Sequence, residues 1–73
     1  MSDSEEVLID ARGHKCPVPT LRLRRALEGV QAGAVVRLLA DDPMAKIDVP
    51  HFCNQQGFEL IEAVETTFRV RKR

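Results

Sequence analysis

The residues best suited to chemistry in this chain form a short run, Cys16-Pro17-Val18-Pro19. A cysteine acts as a nucleophile only as its thiolate. Proline is well suited to the first helical position, so Pro17 is predicted to open a helix with Cys16 at or beside its N-cap. Free backbone N–H groups and the positive end of the helix dipole stabilise an anion at that place. We therefore predict that Cys16 is the catalytic residue, an exposed and partly activated thiol.

Charged residues near this thiol are expected to shift its pKa in opposite directions. His14 and Lys15 directly precede it and add positive charge, which favours the thiolate. Asp10 and Asp41 follow the first two apolar runs and are expected at the same sheet edge as Cys16. Their negative charge would raise the pKa of the thiol. The sequence leaves open which of the two effects is larger.

The second cysteine, Cys53, lies beside Phe52 on the apolar face of a predicted helix and is expected in the core. A structural disulfide is not expected in a reducing compartment. His14 and His51 each stand two residues before a cysteine, and together the four side chains could bind zinc. Their spacing matches none of the usual finger patterns, so no metal ion is predicted. A hydrolase is not predicted either, since no base held by a third group is recognisable.

Length and charge limit the classes of function. A chain of 73 residues is expected to form a single domain without room for a deep substrate cavity. Its 11 basic and 11 acidic side chains argue against a dedicated nucleic-acid binder. No apolar run approaches the roughly 18–20 residues that span a bilayer. The acidic segment 1–6 is no signal peptide and is expected to be disordered. The predicted location is the cytoplasm, with no membrane partner.

Two groups of basic residues are candidates for partner binding. The first predicted helix carries Arg22, Arg24 and Arg25, mostly away from its apolar face, and the segment 69–73 is basic as well. Either group could meet an acidic partner or RNA, or could simply keep a helix face and a tail solvated. The alternative function is therefore a regulatory or binding module that uses the basic face of the first helix, without chemistry at the thiol.

Apolar periodicity predicts a strand, a helix and a second strand in the first half of the chain. Residues 7–9 and 34–40 are apolar runs typical of buried strands. The helix between them, over about 17–30, has apolar residues at helical spacing, namely Leu23, Ala26, Leu27 and Val30.

The second half is predicted to hold one helix and two strands. Asp42 and Pro43 resemble an N-cap and a first helical residue. Pro50 should make the helix over about 43–56 kinked or two-piece, and Gly57 should end it. The remaining elements are two strands and the tight turn between them, over 58–64, 67–72 and 65–66.

The predicted order β-α-β-α-β-β indicates the fold class. Two apolar strands joined by a helix suggest a parallel βαβ unit. We therefore predict an α/β fold of the α+β two-layer type, in which two helices pack on one face of a four-stranded mixed sheet.

The segment over 10–19, which reads Asp-Ala-Arg-Gly-His-Lys-Cys-Pro-Val-Pro, resembles the signature of the TusA/SirA-like sulfur carriers. The hallmark of that family is Cys-Pro-x-Pro preceded by a glycine. Further likeness follows in order at 40–43, 48–50 and 52–53, and extends over nearly the whole chain. The resemblance implies that Gly13, Pro17 and Pro19 support the reactive Cys16.

The same resemblance implies a function. Family members receive sulfane sulfur as a persulfide on the motif cysteine, here Cys16, from a cysteine desulfurase or a rhodanese-type donor. They pass it to a downstream acceptor protein, in one branch toward 2-thiouridine in tRNA, so tRNA is reached only indirectly. No cofactor is implied, because the sulfur is the cargo. Lys15, Arg22 and Arg25 would then lie on the rim of a small, transient partner interface.

Overall fold

The computed structural model describes residues 6–73. In chain order the elements are β1 (Glu6–Asp10), α1 (Val18–Glu28), β2 (Val35–Leu39), α2 (Ala45–Gln56), β3 (Glu59–Val64) and β4 (Thr67–Arg71). Both helices cover one face of a four-stranded mixed sheet, which confirms the predicted α+β two-layer fold and its order of elements.

The strand order in the sheet is β1-β2-β4-β3. β1 pairs in parallel with β2, whereas β4 pairs antiparallel with β2 and with β3. Because β1 and β2 run in the same direction, the chain must return between them, and α1 makes that return. The segment that links β1 to α1 and the one that links β2 to α2 therefore meet at the carboxyl edge of these two strands.

The core lies between the helices and the inner face of the sheet. Strands β2 and β4 alternate between buried and more exposed residues, as expected for a sheet with one covered face. The buried apolar residues are Ala11, Leu23, Leu27, Val36, Leu38, Ala40, Ala45, Val49, Phe52, Cys53, Phe68 and Val70.

β1 differs from its prediction as a buried strand. It lies at the edge of the sheet, and its side chains alternate in exposure. Val7 and Ile9 pack against the core, but Leu8 points away from the helices and is 59 % exposed. An apolar run of three residues cannot distinguish a central strand from an edge strand, because the pairing partner is remote in sequence.

The helix boundaries also differ in detail. α1 begins at Val18, with Pro17 as its N-cap after a cis peptide bond, and ends before Gly29 rather than at Val30. Gly29 N–H donates to the carbonyl of Ala26, three residues earlier, at 3.1 Å. This spacing tightens the helix and is typical of a final helical turn. Cys16 therefore lies directly before the N-cap, which is the second of the two positions predicted for it.

α2 is one continuous helix that contains Pro50, so the predicted two-piece form is wrong. Buried residues on both sides of this proline, Val49 and Phe52 among them, hold the helix against the core. The N-cap is Met44, rather than Asp42. Gly57 ends the helix in the left-handed conformation at φ 78°, as predicted.

The segment 1–6 was expected to be disordered. Residues 1–5 lie outside the described part of the chain, but Glu6 is the first residue of β1, which corrects the expectation there. Its carboxylate pairs with Arg37 at 2.9 Å and with Arg69 at 3.1 Å on the sheet face opposite the helices.

Candidate functional site

Cys16 lies in the segment between β1 and α1, at the carboxyl edge of the sheet. Ala11 N–H extends the β1–β2 pairing by donating to the carbonyl of Leu39 at 2.8 Å, and the chain then turns. Gly13 takes φ 86° in this turn, as its conformational freedom suggested. Cys16 is half-buried, and its side chain packs against the core. The thiol is therefore less exposed than predicted.

Two consecutive aspartates from the β2–α2 segment hold the backbone of this loop. Asp41 Oδ1 accepts the N–H of Gly13 at 2.9 Å, and Asp42 Oδ2 accepts the N–H of Cys16 at 2.8 Å. The other oxygen of Asp42 accepts the N–H of Met44 at 3.0 Å. Asp42 thus joins the thiol-bearing loop to the start of α2. These bonds, of which the one from Met44 is the largest influence, lower the pKa of Asp42.

The pKa of the Cys16 thiol is raised above its ordinary value. Burial is the largest cause, because it disfavours the charged form. The Thr20 hydroxyl acts the other way, and the charges of Asp48 and Asp42 raise the pKa further. Burial and carboxylates therefore outweigh the features that favour a thiolate, and the neutral thiol is the stable form at pH 7.

The start of α1 offers the thiolate fewer backbone donors than the sequence suggested. Pro17 and Pro19 have no N–H. The N–H of Val18 donates to the carbonyl of Lys15 at 2.9 Å, and the N–H of Cys16 itself is taken by Asp42. A helix N-terminus stabilises an anion mainly through unused N–H groups, so its contribution to Cys16 is reduced.

Asp10, at the end of β1, was expected to disfavour the thiolate of Cys16. Its carboxylate is instead paired with Arg12. Arg12 donates to it through Nε at 2.9 Å and through a terminal nitrogen at 2.8 Å, which lowers the pKa of Asp10 to about 2. Arg22 donates to the backbone carbonyl of Asp10 at 3.0 Å. The carboxylates that raise the pKa of Cys16 are instead Asp48 and Asp42, which corrects the prediction of Asp10 and Asp41.

A groove of about 470 Å³ lies beside the thiol-bearing loop. It brings together four of the predicted site residues, Gly13, His14, Lys15 and Asp41, with Asp42. Lys15 is exposed, and its charge contributes to the lowered pKa of Asp42 after the two hydrogen bonds from backbone N–H groups. The groove is shallow enough to admit the surface of a partner rather than to enclose a small molecule.

The basic side chains of α1 are exposed, but some of them have hydrogen-bond or ion-pair partners within the molecule. Arg22 is held by the carbonyl of Asp10, and Arg24 pairs with Glu28 at 3.3 Å, one turn along the helix. Arg25 lies in the last turn of α1, where a cation suits the helix dipole. Lys15, Arg22 and Arg25 remain predictions as partner-binding residues.

Cys53 is buried, with 2 % of its surface exposed, and burial raises the pKa of its thiol to about 11. It is therefore a core residue, as predicted. Over residues 6–73, no three His, Cys, Asp or Glu side chains come together in an arrangement that could hold a metal ion. Within the same range, no helix has the length and apolar character needed to cross a bilayer.

Sequence reasoning missed two side chains near the thiol. Neither Asp48 nor Thr20 is among the site residues that the sequence predicts. Thr20 follows Cys16 by four residues, about one helical turn, and this spacing was the available signal. Asp48 had no such signal, because it approaches Cys16 only through the packing of α2 beside α1.

The comparisons with known proteins agree on one family. Residues 7–72 match the family model described as Sulfurtransferase TusA. A sulfur carrier protein TusA of Pseudomonas putida is 35 % identical over 60 residues, which cover 82 % of this chain and 75 % of the relative. The TusA of Pseudomonas aeruginosa is 34 % identical over 65 residues, 89 % of this chain and 82 % of the relative.

A solved structure supports the same relationship. The crystal structure of a SirA-like protein from Desulfitobacterium hafniense is similar, with a TM-score of 0.66 and 31 % identity. The match covers 88 % of this chain and 90 % of that chain. Taken with the family model and the curated relatives, it confirms the predicted resemblance: this chain belongs to the TusA family of sulfurtransferases.

Proposed function

We propose that this protein is a cytoplasmic sulfur carrier that holds sulfane sulfur as a persulfide on Cys16. The observation that carries the proposal is the partly exposed thiol of Cys16 at the carboxyl edge of the sheet, on a residue whose backbone N–H donates to Asp42. The other thiol, Cys53, is buried, which makes it unsuited to exchange with a partner.

The transfer needs no cofactor. In the first step, the thiolate of Cys16 attacks the terminal sulfur of a donor persulfide. The donor S–S bond breaks, a new S–S bond forms on Cys16, and the donor leaves as its own thiolate. In the second step, an acceptor nucleophile attacks the terminal sulfur, and Cys16 leaves as a thiolate. Sulfur atoms and electron pairs balance across the two steps, so a second redox partner is not required.

The raised pKa of Cys16 suits such a cycle. The empty carrier keeps a neutral thiol at pH 7, which is a poor nucleophile and is protected from adventitious oxidation. The terminal sulfur of a persulfide is more acidic than a thiol, so the loaded carrier holds an anion. Loading then requires that the thiol lose its proton within the complex with the donor.

The donor is a cysteine desulfurase or a rhodanese-type protein, and the acceptor is a further protein of sulfur metabolism. Delivery toward 2-thiouridine in tRNA is the route that we favour, with tRNA reached only through the acceptor. Lys15 and Arg22 place positive charge at the thiol-bearing end of the molecule, and Arg25 adds charge further along α1. Small, charged interfaces suit a carrier that must dock and release in turn.

Sulfur loading followed by mass spectrometry tests the proposal. The protein is incubated with a cysteine desulfurase and cysteine, and the mass of the peptide that contains Cys16 is measured. We expect one added sulfur on that peptide, its loss in Cys16→Ala, and nearly normal loading in Cys53→Ala. Absence of sulfur on Cys16, with desulfurase and rhodanese donors that load another carrier, would reject the proposal.

Charge reversal distinguishes the binding-module alternative. If the basic face of α1 acted without thiol chemistry, Cys16→Ser would retain activity in cells while Arg22→Glu and Arg25→Glu would lose it. A sulfur carrier gives the opposite result for Cys16→Ser. The two arginine variants should then slow loading without changing the reaction of Cys16 with a small alkylating reagent.

A further inference from the structure

Thr20 presents an unusual hydroxyl. Its Oγ1 atom is buried and has no hydrogen-bond partner within residues 6–73. Buried polar atoms are nearly always hydrogen-bonded, because burial without a partner costs free energy. Thr20 belongs to the first turn of α1, one turn beyond Cys16, and the thiol is a neighbour of this hydroxyl. The hydroxyl is therefore a candidate donor to the sulfur.

Several backbone donors at this helix start are absent or already used. The two prolines of the motif have no N–H. The N–H groups of Val18 and Leu21 donate to the carbonyls of Lys15 and Pro17, both at 2.9 Å. The N–H of Cys16 donates to Asp42. The Thr20 hydroxyl is thus the side-chain donor that α1 has available for an anion at Cys16.

The carboxylates that act on the sulfur have the opposite effect to a hydrogen-bond donor, because they disfavour its anionic form. Asp48 faces it from α2, and Asp42 from the segment before α2. A carboxylate can accept a hydrogen bond from a neutral thiol but repels a thiolate. The carboxylates therefore suit the neutral form of the sulfur, and the hydroxyl suits its anionic form.

We propose that Thr20 Oγ1 is the hydrogen-bond donor for the anionic sulfur of Cys16 and stays unpartnered while that sulfur is a neutral thiol. The proposal deepens the sulfur-carrier function and rests on it for its biological meaning. When the proton leaves Sγ, the Thr20 O–H turns toward the sulfur and donates. The same bond stabilises Cys16 as the leaving thiolate when an acceptor removes the terminal sulfur.

In the loading step, Thr20 gives up no proton. The thiol proton passes to solvent or to a base of the donor, the lone pair of Sγ forms the new S–S bond, and the donor sulfur leaves with the electron pair of the broken bond. The hydroxyl only stabilises charge on Sγ before the attack. Thr20 is therefore expected to change the acidity of Cys16 rather than the identity of the product.

The test is the rate at which Cys16 reacts with iodoacetamide as a function of pH, measured by mass spectrometry of its peptide. Thr20→Val keeps the shape of the side chain and removes the hydroxyl. We expect the apparent pKa of Cys16 to rise by about one unit, which lowers the alkylation rate about tenfold at a fixed pH below that pKa. Thr20→Ser keeps the hydroxyl and should restore the wild-type profile.

A second measurement separates this role from a structural one. Since Thr20→Val removes a buried polar atom without a partner, its midpoint of urea unfolding should rise although its thiol becomes less reactive. A structural role would lower the midpoint in Thr20→Val. If that variant fails to fold, Thr20→Ala gives the same comparison with Thr20→Ser. An unchanged pH profile in Thr20→Val or Thr20→Ala would overturn the proposal.

Alkylation needs no sulfur donor, so the outcome does not depend on the proposed function. A wild-type protein that cannot be loaded, but whose Cys16 loses acidity in Thr20→Val, would reject the carrier function and retain the hydrogen-bond donor. Normal loading with an unchanged pH profile in Thr20→Val would reject the donor and retain the carrier.

Discussion

Asp42 bonds to Cys16 across the site, with its Oδ2 atom 2.8 Å from the backbone nitrogen of the cysteine. Its second oxygen accepts the N–H of Met44 at the start of α2. One carboxylate thus fixes the reactive loop to the second helix and also places a negative charge near the sulfur. Asp42 therefore positions the thiol-bearing loop and adds to the effect of burial, which is the largest cause of the raised pKa of Cys16.

Replacing Asp42 should separate these two effects. Asp42→Asn has one carbonyl oxygen in place of two carboxylate oxygens, so it cannot accept both N–H groups. We expect a lower midpoint of urea unfolding and, because the charge is removed, a lower pKa of Cys16. Glu65→Gln, in the exposed turn between β3 and β4, is a matched change of charge away from the site. A higher pKa of Cys16 in Asp42→Asn would contradict this account.

Asp48 should change the pKa of the Cys16 thiol without contributing to the hydrogen bonds that hold the backbone of Cys16. Asp48→Asn removes a negative charge near Sγ, and the thiolate becomes easier to form. The pH profile of alkylation should therefore shift to lower pH, with a several-fold faster reaction at pH 7. Asp41→Asn is the control, since Asp41 contacts Gly13 rather than the sulfur. Equal profiles for Asp48→Asn and wild type would show that the charge is without effect.

The Asp10–Arg12 pair should make stability depend on pH in acid. The pKa of Asp10 is about 2 in the folded protein and about 3.8 without its partners. A lowered folded-state pKa stabilises the protein above the unfolded value, and this contribution disappears as pH falls. Urea midpoints should therefore drop between about pH 4 and pH 2. The drop should be smaller in Asp10→Asn, and an identical drop in both proteins would exclude the pair as a cause.

Two leucines of α1 test the assignment of its buried face. Leu27 is fully buried, whereas Leu21 is 54 % exposed. Leu27→Ala should cost about 2–5 kcal/mol of unfolding free energy, because it removes core contacts and leaves a cavity. Leu21→Ala should change it by no more than about 0.5 kcal/mol. Chemical unfolding with the same probe for both variants decides the matter, and similar losses would contradict the orientation of the helix.

Much of the fold was predictable because it depends on local patterns. The apolar spacing in α1 correctly predicted that Leu23 and Leu27 are buried, and Gly57 correctly predicted the end of α2. The errors arose where distant contacts decide the outcome. Pro50 remains inside one helix because the core holds α2 on both sides of it, and β1 is an edge strand because β2 takes the central position.

For the site, the sequence by itself indicated the family and predicted Cys16 as the reactive residue, since Cys16-Pro17-Val18-Pro19 is a contiguous motif. It also placed this motif at the carboxyl edge of the sheet. Only the tertiary structure decided the acidity of the thiol. Burial by the surrounding elements raises its pKa most, and the carboxylates that add to this effect, Asp48 and Asp42, are remote from Cys16 along the chain.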